Sequence, residues 1–457
     1  MNFQEKLLYS LFHKTPYNQI QYVYGFKRRI VDLLLVGSLV RKNLKFLAQD
    51  VLGIKRSNYY SYISNFRHLK YVYFNGGVFL DCFSPCFPGE AFLRTVNKIF
   101  TSDPTDWKDK TIALIISITK KCVYRCEHCY AIQTLGNKDF LSLEDLLKIA
   151  KGVEELGINV IGWEGGEPLL RFDDLITLLR GTTPSIDAWI ATTAYGLTYR
   201  QAIELKKAGL IAAIISLDHW IPEKHNAFRR NSKAFDMAVK GIKIFREVGI
   251  LPNICICATK EVVDEGGLWE YIELAKKIGV GFVQILDATP SGNYIDQDVV
   301  LSNKQIREIQ KFHVEINTNP EYQDYPSVSA RALLENDSHY GCTAGCSLIY
   351  IDNEGRMQPC DLLQISFGNV AKEGVAKVYR RMKKYFPHYR AGRCPAQTLH
   401  KHILNIYQEH QSLPLPHEKC ADILEILKKR GLTPKFQCVG GNVLTLLKAM
   451  LEDPKSL

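Results

Sequence analysis

The chain has 457 residues, 46% of them hydrophobic and 23% charged, a globular composition that excludes wholesale disorder. The formal net charge is +10, and the length indicates two or three domains. No apolar run reaches the roughly 18 residues of a membrane span, and the N-terminal residues lack the pattern of a signal peptide. We therefore expect a cytoplasmic protein, peripheral to the membrane at most. In that compartment its 13 cysteines are expected to be metal ligands, catalytic groups or core residues rather than disulfides.

The first hundred residues differ in composition from the rest, with 14 Lys and Arg, 5 Asp and Glu, and 20 aromatic residues. The sequence predicts three helices and then two short strands, in order at 29–36, 44–52, 56–66, 71–74 and 78–81. This order matches a winged helix, with Asn75-Gly76-Gly77 as the tight turn. A basic, aromatic-rich domain over 1–105 is a candidate for binding a partner peptide, an anionic membrane surface or nucleic acid. The alternative is that the aromatic residues form a core and the charges are solvated.

Between residues 112 and 286 short apolar segments alternate with helical patterns. The predicted strands are 112–118, 159–163, 188–193, 211–217, 254–259 and 282–286. The predicted helices are 142–156, 173–180, 199–208, 234–248 and 268–278. Ser142 and Asp145 have the spacing of a capping box at the start of the first helix. Six such units predict an α/β fold, a partial (β/α)6 barrel over 106–300 with functional loops at the C-terminal strand ends. A third region, 301–457, holds more cysteines and ends in predicted helices at 421–429 and 442–451.

Three cysteines follow the first barrel strand at x3 and x2 spacing: Cys122, Cys126 and Cys129. Three thiolates on one loop can hold three irons of a [4Fe–4S] cluster and leave the fourth iron open, whereas electron-transfer clusters usually have four cysteines. Zinc is the main alternative. A structural zinc site needs four ligands, and His128 is the neighbour available as the fourth.

This motif, placed after the first strand of a partial barrel, resembles the radical S-adenosylmethionine (SAM) superfamily. The resemblance covers about 110–300 and continues in the Gly-Gly-Glu-Pro motif after strand two, Ser216 and Asp218 after strand four, and His225 and Arg229 beyond them. After strand three the family often has Thr-Asn-Gly, whereas this chain has Thr192-Thr193-Ala194. The resemblance therefore does not assign the family's third-strand contact to these residues. The loop Thr289–Gly292 is similar to the family's adenine-side loop. The resemblance implies these cofactor-binding residues: Gly165, Gly166, Glu167, Pro168, Ser216, Asp218, Arg229 and Tyr130.

The second group of cysteines resembles the SPASM/Twitch extension, which carries auxiliary iron–sulfur clusters. Cys342 begins a Cys-x-Ala-Gly motif, Cys360 follows Gly355 after a predicted hairpin, and Cys394 comes later. The resemblance implies that these three hold an auxiliary [4Fe–4S] cluster, with Cys346 as the candidate fourth ligand. The remaining cysteines are widely spaced, which favours the shorter, Twitch-like form with one auxiliary cluster. A structural zinc is the alternative.

The resemblance implies an enzyme that cleaves SAM reductively to methionine and a 5′-deoxyadenosyl radical, which abstracts hydrogen from a substrate C–H. The implied cofactors are the SAM-binding [4Fe–4S] cluster, SAM and the auxiliary cluster, and the implied partner is a flavodoxin- or ferredoxin-like reductant. We expect a peptide or protein substrate, as for a maturase. One alternative is a lipid or small molecule modified at the membrane surface. Another is a non-catalytic iron–sulfur redox or DNA-binding regulator. The sequence assigns no catalytic acid or base.

Overall fold

The computed structural model describes residues 3–42, 68–101, 111–182, 185–336, 339, 341–386 and 394–429. The predicted helices at 44–52, 56–66 and 442–451 lie outside these residues. Within them, no helix is both long enough and apolar enough to cross a membrane.

The described N-terminal residues form three helices and a small antiparallel sheet. The helices are α1 (Phe3–Phe12), α2 (Gly25–Lys42) and α3 (Glu90–Thr101), and the strands are β1 (Gln21–Val23), β2 (Tyr71–Phe74) and β3 (Gly77–Phe79). The strand order is β1-β2-β3. The predicted hairpin is confirmed, and its turn has φ of 47° at Asn75 and 90° at Gly76, a conformation that Asn and Gly adopt most readily. The third strand, β1, was not predicted.

The centre of the molecule is a nine-stranded sheet with the order β10-β9-β8-β7-β6-β5-β4-β11-β12. Its strands are β4 (Ala113–Ser117), β5 (Val160–Glu164), β6 (Asp187–Thr192), β7 (Leu210–Ser216), β8 (Leu251–Ala258), β9 (Phe282–Asp287), β10 (Ser327–Ala330), β11 (Leu348–Ile351) and β12 (Met357–Gln358). Every neighbouring pair from β10 to β11 is parallel, and β12 pairs antiparallel with β11.

Helices connect the strands, as expected for parallel neighbours that require a crossover. From β4 to β10 these are α4 (Leu143–Glu155), α5 (Phe172–Arg180), α6 (Tyr199–Lys207), α7 (Pro222–Arg229), α8 (Ala234–Glu247), α9 (Lys260–Asp264), α10 (Gly267–Ile278) and α11 (Asn303–Thr318). The capping box of α4 is present: Ser142 Oγ accepts from the Asp145 N–H, and the Asp145 carboxylate accepts from the Ser142 N–H. It fixes the helix start where the sequence predicts it.

The C-terminal part adds short elements, some of which pack against β9 and β10 and others against α4 and β12. They are α12 (Arg331–Leu334), β13 (Ile365–Ser366), α13 (Val370–Glu373), α14 (Val375–Lys383), α15 (Pro395–Thr398), α16 (His400–His410), β14 (Leu415–Pro416) and α17 (Ala421–Lys429). The predicted helix at 421–429 is confirmed. The six predicted barrel strands are confirmed too, and the prediction missed the two parallel strands that flank them, β10 and β11. Each has only four residues and is separated from the regular alternation.

The hairpin β2–β3 and the loop after it fill the N-terminal end of the barrel; we call residues 71–87 the plug. Apolar residues of the plug pack with residues near the beginnings of the barrel strands, in one buried cluster that contains Val72, Phe74, Phe79, Cys82, Val160, Trp189, Ala212, Ile214, Leu251 and Phe282. Phe79 meets the Trp189 ring edge-on and Phe83 stacks on it, both at 6.0 Å between centroids. On β5, a Cβ at Gly162 would lie 3.4 Å from the Phe83 ring, so the strand leaves space for the plug. The proposed boundary at residue 105 and the winged-helix assignment stay predictions.

Because the plug packs inside the barrel, we expect a mutation in the plug to destabilise the barrel. Phe79 is 4% exposed, and truncating a buried Phe to Ala typically costs about 3–5 kcal/mol. We expect Phe79→Ala to lower the unfolding free energy of the barrel by that amount, measured in urea through tryptophan fluorescence, since four of the five tryptophans lie in the barrel: Trp163, Trp189, Trp220 and Trp269. Phe26→Ala is the matched control, because Phe26 is 74% exposed. An unchanged barrel transition in Phe79→Ala would contradict the plug's role.

Candidate active site

A cavity of about 480 Å³ opens at the C-terminal ends of the barrel strands, where a parallel α/β fold places its functional loops. Both predicted groups of cysteines line it, together with most of the predicted cofactor-binding residues. Its wall contains Cys122, Cys126, Cys129, Cys342, Cys360, Cys394, Tyr130, Gly165, Gly166, Ser216, Asp218 and Arg229. The two sets of thiols, far apart in sequence, therefore face one shared space.

Backbone hydrogen bonds hold the first cysteine loop in place. The Glu127 N–H donates to the Phe228 carbonyl at the end of α7, at 2.9 Å, and the Asn293 N–H donates to the Cys129 carbonyl at 3.1 Å. Gly292 has a φ of 54°, and a Cβ there would lie 2.3 Å from the Cys129 carbonyl oxygen. The loop after β9 thus presses directly against the cysteine loop, with Thr289 and Ser291 on the cavity wall.

The two glycines after β5 approach the cysteine loop from the opposite side. A Cβ at Gly166 would lie 2.2 Å from the Lys121 carbonyl oxygen and 2.9 Å from the Cys122 Cβ. A Cβ at Gly165 would lie 2.7 Å from the Thr119 side chain. Any side chain at either position would push the cysteine loop away, so glycine is required here for close approach.

Glu167 does not line the cavity; it is 1% exposed and ties the glycine loop to β6. One carboxylate oxygen accepts from Thr192 Oγ1 at 2.6 Å, and the other accepts from the Thr193 N–H at 2.8 Å and from Thr193 Oγ1. Burial raises the pKa of Glu167, and the Thr192 and Thr193 donors oppose that shift. These hydrogen bonds explain why the chain has Thr-Thr-Ala at the end of β6, where the family often has Thr-Asn-Gly: both threonines hold Glu167. Pro168 begins the short 3-10 helix that follows.

A charged pair lies at the end of β7. The Asp218 carboxylate and the Arg229 guanidinium form an ion pair at 2.5 Å, and both side chains are buried. Burial opposes the charged form of Asp218, but Arg229 above all holds the pKa of Asp218 below its usual value. His225 accepts from the Asp218 N–H at 3.0 Å, so the structure gives this histidine a positioning role.

A second polar pair, Glu164 and Tyr130, lies on the wall between the two groups of cysteines. The Tyr130 hydroxyl donates to Glu164 Oε2 at 2.5 Å, and burial followed by the nearby Asp361 carboxyl raises the pKa of Glu164 to about 8. Glu164 was not among the predicted site residues. Its signal in the sequence is its position as the last residue of β5, where side chains reach the functional edge of the sheet.

Three of the four cysteines predicted for the auxiliary cluster reach the cavity: Cys342, Cys360 and Cys394. Burial, and then Asp361, raises the pKa of Cys360 well above that of an ordinary thiol. Cys346 is fully buried and is not on the cavity wall, so the structure does not bring it together with the other three at this surface. Its role as a ligand stays a prediction.

The first group of thiols fits a [4Fe–4S] cluster that SAM completes. Burial raises the pKa of Cys122 to about 11 and that of Cys129 to about 12, so both are neutral thiols until a metal displaces their protons. The three cysteines all line the cavity, so a cluster held by them would lie at its wall. Among the described residues no group of three or more His, Cys, Asp and Glu side chains is arranged to hold a single metal ion. This is compatible with a cluster, since four irons keep their cysteines farther apart than one ion does.

Other cysteines also line the cavity. Cys255 and Cys257 on β8 and Cys82 of the plug contribute to its wall. The alternation of Cys255 and Cys257 along the strand predicts that both point to the same face, and that prediction is confirmed. Cys82 is 1% exposed, and its place on this wall depends on the plug entering the barrel, which no local pattern in the sequence indicates.

Comparison with known proteins identifies the central domain. The Radical SAM superfamily matches residues 116–260. GTP 3',8-cyclase of Petrotoga mobilis is 27% identical over 288 residues, which cover 59% of this chain and 88% of that protein. AdoMet-dependent heme synthase of Oleidesulfovibrio alaskensis is 23% identical over 297 residues, which cover 60% of this chain and 75% of that protein.

Among solved structures, Streptococcus suis SuiB bound to the precursor peptide SuiA has a similar fold. The TM-score is 0.51 with 18% identity, over 62% of this chain and 68% of SuiB. Residues 116–260 therefore form a radical SAM domain, and the chain is an enzyme whose cofactors are a [4Fe–4S] cluster and SAM. This confirms the partial barrel and the radical SAM assignment, and it sets aside a non-catalytic regulator. The SPASM/Twitch-like extension stays a prediction. The individual ligand assignments stay predictions.

The shared cavity predicts the metal content. Anaerobic reconstitution should give about eight irons and eight sulfides per chain, as two clusters of four. Replacing Cys122, Cys126 and Cys129 together by Ala should remove about half, and so should replacing Cys342, Cys360 and Cys394. Cys86→Ala, in the plug, is the control and should keep all the iron. About four irons in the intact protein, or zinc in place of half the iron, would contradict the auxiliary cluster.

The Glu167 contacts predict a loss of SAM affinity without direct contact to SAM. Gln at this position cannot accept on both sides of the group, so the glycine loop should shift. A hydrogen bond to a charged group contributes about 1.5–3 kcal/mol. We therefore expect Glu167→Gln to weaken SAM binding at least about tenfold, measured by anaerobic equilibrium dialysis. Glu155→Gln, at an exposed site of α4, is the control, and equal affinities in the two variants would refute the expectation.

Proposed function

We propose that this enzyme abstracts hydrogen from a C–H bond of a peptide or protein substrate bound in the cavity between the two groups of cysteines. When bound, the reduced cluster and SAM together supply the 5′-deoxyadenosyl radical for this step. The chain's own residues hold the cysteine loop, fix the glycine loop through Glu167, and shield the reaction from water within the barrel.

The shared cavity is the observation that carries the proposal. The wall runs from Cys126 through Tyr130 and Glu164 to Cys360 and Cys394. A substrate in this space lies beside both cysteine groups, so one bound group can meet the radical on one side and an electron acceptor on the other. Such an arrangement is suited to removing a hydrogen atom and then an electron from the same substrate. We propose the auxiliary cluster as that acceptor.

Fold similarity favours a peptide. SuiB was solved with its precursor peptide, and it shares its fold with 62% of this chain. The cavity volume lies within the range of ligand pockets of about 300–1,000 Å³, a size that suits a side chain delivered from a longer polypeptide. We propose a flavodoxin- or ferredoxin-like protein as the reductant.

A nucleotide or another small molecule is the second candidate. It is favoured by the curated relatives, since GTP 3',8-cyclase of Petrotoga mobilis aligns over most of its own length. Under this alternative the same cavity would enclose the whole substrate rather than one side chain of it.

The experiment that tests the proposal measures 5′-deoxyadenosine. Reconstituted protein is incubated anaerobically with SAM and dithionite, alone, with GTP, or with a host-lysate fraction above about 3 kDa, the mass of a peptide of roughly 25–30 residues. The same fraction after protease digestion and heat inactivation is the paired control. We expect the intact fraction to increase 5′-deoxyadenosine formation several-fold and the digested fraction to lose that effect.

The other outcomes are equally decisive. Stimulation by GTP, or an equal stimulation by the intact and the digested fractions, would select the second candidate. Cys126→Ala should form no 5′-deoxyadenosine under any condition, because the cluster loses a ligand. If that variant remains active, the assignment of the cysteine loop is wrong.

A further inference from the structure

The guanidinium of Arg229 touches a cysteine of the first loop. Arg229 Nη1 lies 3.5 Å from the Sγ of Cys126, in addition to the ion pair that its Nε makes with Asp218. All three side chains are buried, with exposures of 7% for Arg229, 7% for Cys126 and 4% for Asp218. Water is thus largely excluded from the contact, which makes a hydrogen bond from a charged donor stronger.

Three further hydrogen bonds hold the contact between Arg229 and Cys126 in place. The second carboxylate oxygen of Asp218 accepts from the Cys257 N–H on β8 at 3.0 Å. The Asp218 N–H donates to His225, one turn before Arg229 on α7. The Glu127 N–H donates to the Phe228 carbonyl, so backbone joins the residue after Cys126 to the residue before Arg229. The guanidinium and the sulfur cannot separate unless α7 or the cysteine loop moves.

We propose that Arg229 is a positioning residue that donates a hydrogen bond to the Cys126 sulfur and thereby raises the reduction potential of the cluster in the barrel. An arginine stays charged at any working pH. It stabilises the more negative, reduced cluster more than the oxidised one, and hydrogen bonds to ligand sulfurs are among the factors that set cluster potentials. Asp218 fixes the guanidinium and partly offsets its charge.

This role differs from the one implied by the family resemblance, in which Arg229 contacts SAM. Experiment can separate the two roles. A hydrogen bond to the sulfur changes the cluster potential before SAM binds, whereas a contact to SAM has an effect only once SAM is bound. The proposal rests on Cys126 being a cluster ligand, which the iron content of the cysteine variants tests independently.

The test is an EPR-monitored redox titration of the reconstituted full chain without SAM. The barrel cluster is identified as the signal that changes when SAM is added afterwards. We expect Arg229→Gln to shift its midpoint potential to more negative values, and Asp218→Asn, which keeps the guanidinium and removes the opposing charge, to shift it to more positive values. Arg230→Gln is the matched control, since it removes the same charge from the adjacent, exposed residue, and it should leave the potential unchanged.

Each outcome decides the proposal. An unchanged potential in Arg229→Gln, with weaker SAM binding, would overturn it in favour of a SAM contact. An equal negative shift in Arg230→Gln would reduce it to a general charge effect and overturn it too. If Arg229→Gln takes up no barrel cluster, the midpoint potential of Arg229→Lys is measured instead. Lysine keeps the positive charge but has no second nitrogen, so it cannot contact Asp218 and the Cys126 sulfur through separate atoms as arginine does. A potential between those of the wild type and Asp218→Asn would then refute the proposal, whereas one below the wild type would support it.

Discussion

Direct contact between two stretches of backbone controls the geometry of the site. The glycine loop after β5 lies against the cysteine loop with no room for a Cβ at Gly165 or Gly166. Because no flexible side chain separates the two loops, the height of the cysteines above the sheet is set by the strands themselves. The same turn sends the next residue, Glu167, back toward Thr192 and Thr193, so one close approach orients both the thiols and the loop beside them.

Gln364 is one of the side chains that join the C-terminal part of the chain to this arrangement. Gln364 accepts from the Gly292 N–H at 2.9 Å and donates to the Tyr130 carbonyl at 2.9 Å. It therefore connects the loop after β9, the end of the first cysteine loop and the segment that follows Cys360. Two cysteine groups that belong to different parts of the sequence are held at a defined separation by these hydrogen bonds, and the cavity is the space between them.

Local patterns predicted most of the barrel and little of what surrounds it. The apolar runs and the Ser142 cap identified six strands and the start of α4, because each signal lies within a few residues of its partner. The strands β10 and β11 were missed because each has only four residues, and two of the four in β10 are serines. The cysteine spacing indicated the first loop, but the place of Cys346 away from the cavity depends on tertiary packing. For the same reason no local pattern indicated that Thr192 and Thr193 hold Glu167, or that Arg229 reaches Cys126.

The plug has a consequence for how the chain folds. Residues 71–87 leave the ribosome before any barrel strand exists, and part of their apolar surface packs against residues of β5 to β9 that are made later. Their native contacts reach as far as Phe282, and contacts so distant in sequence form slowly because a long loop must close first. The hairpin is therefore made before the strands that cover this part of its surface. A chain that stalls before β9 is complete would present this surface to chaperones or to other unfinished chains.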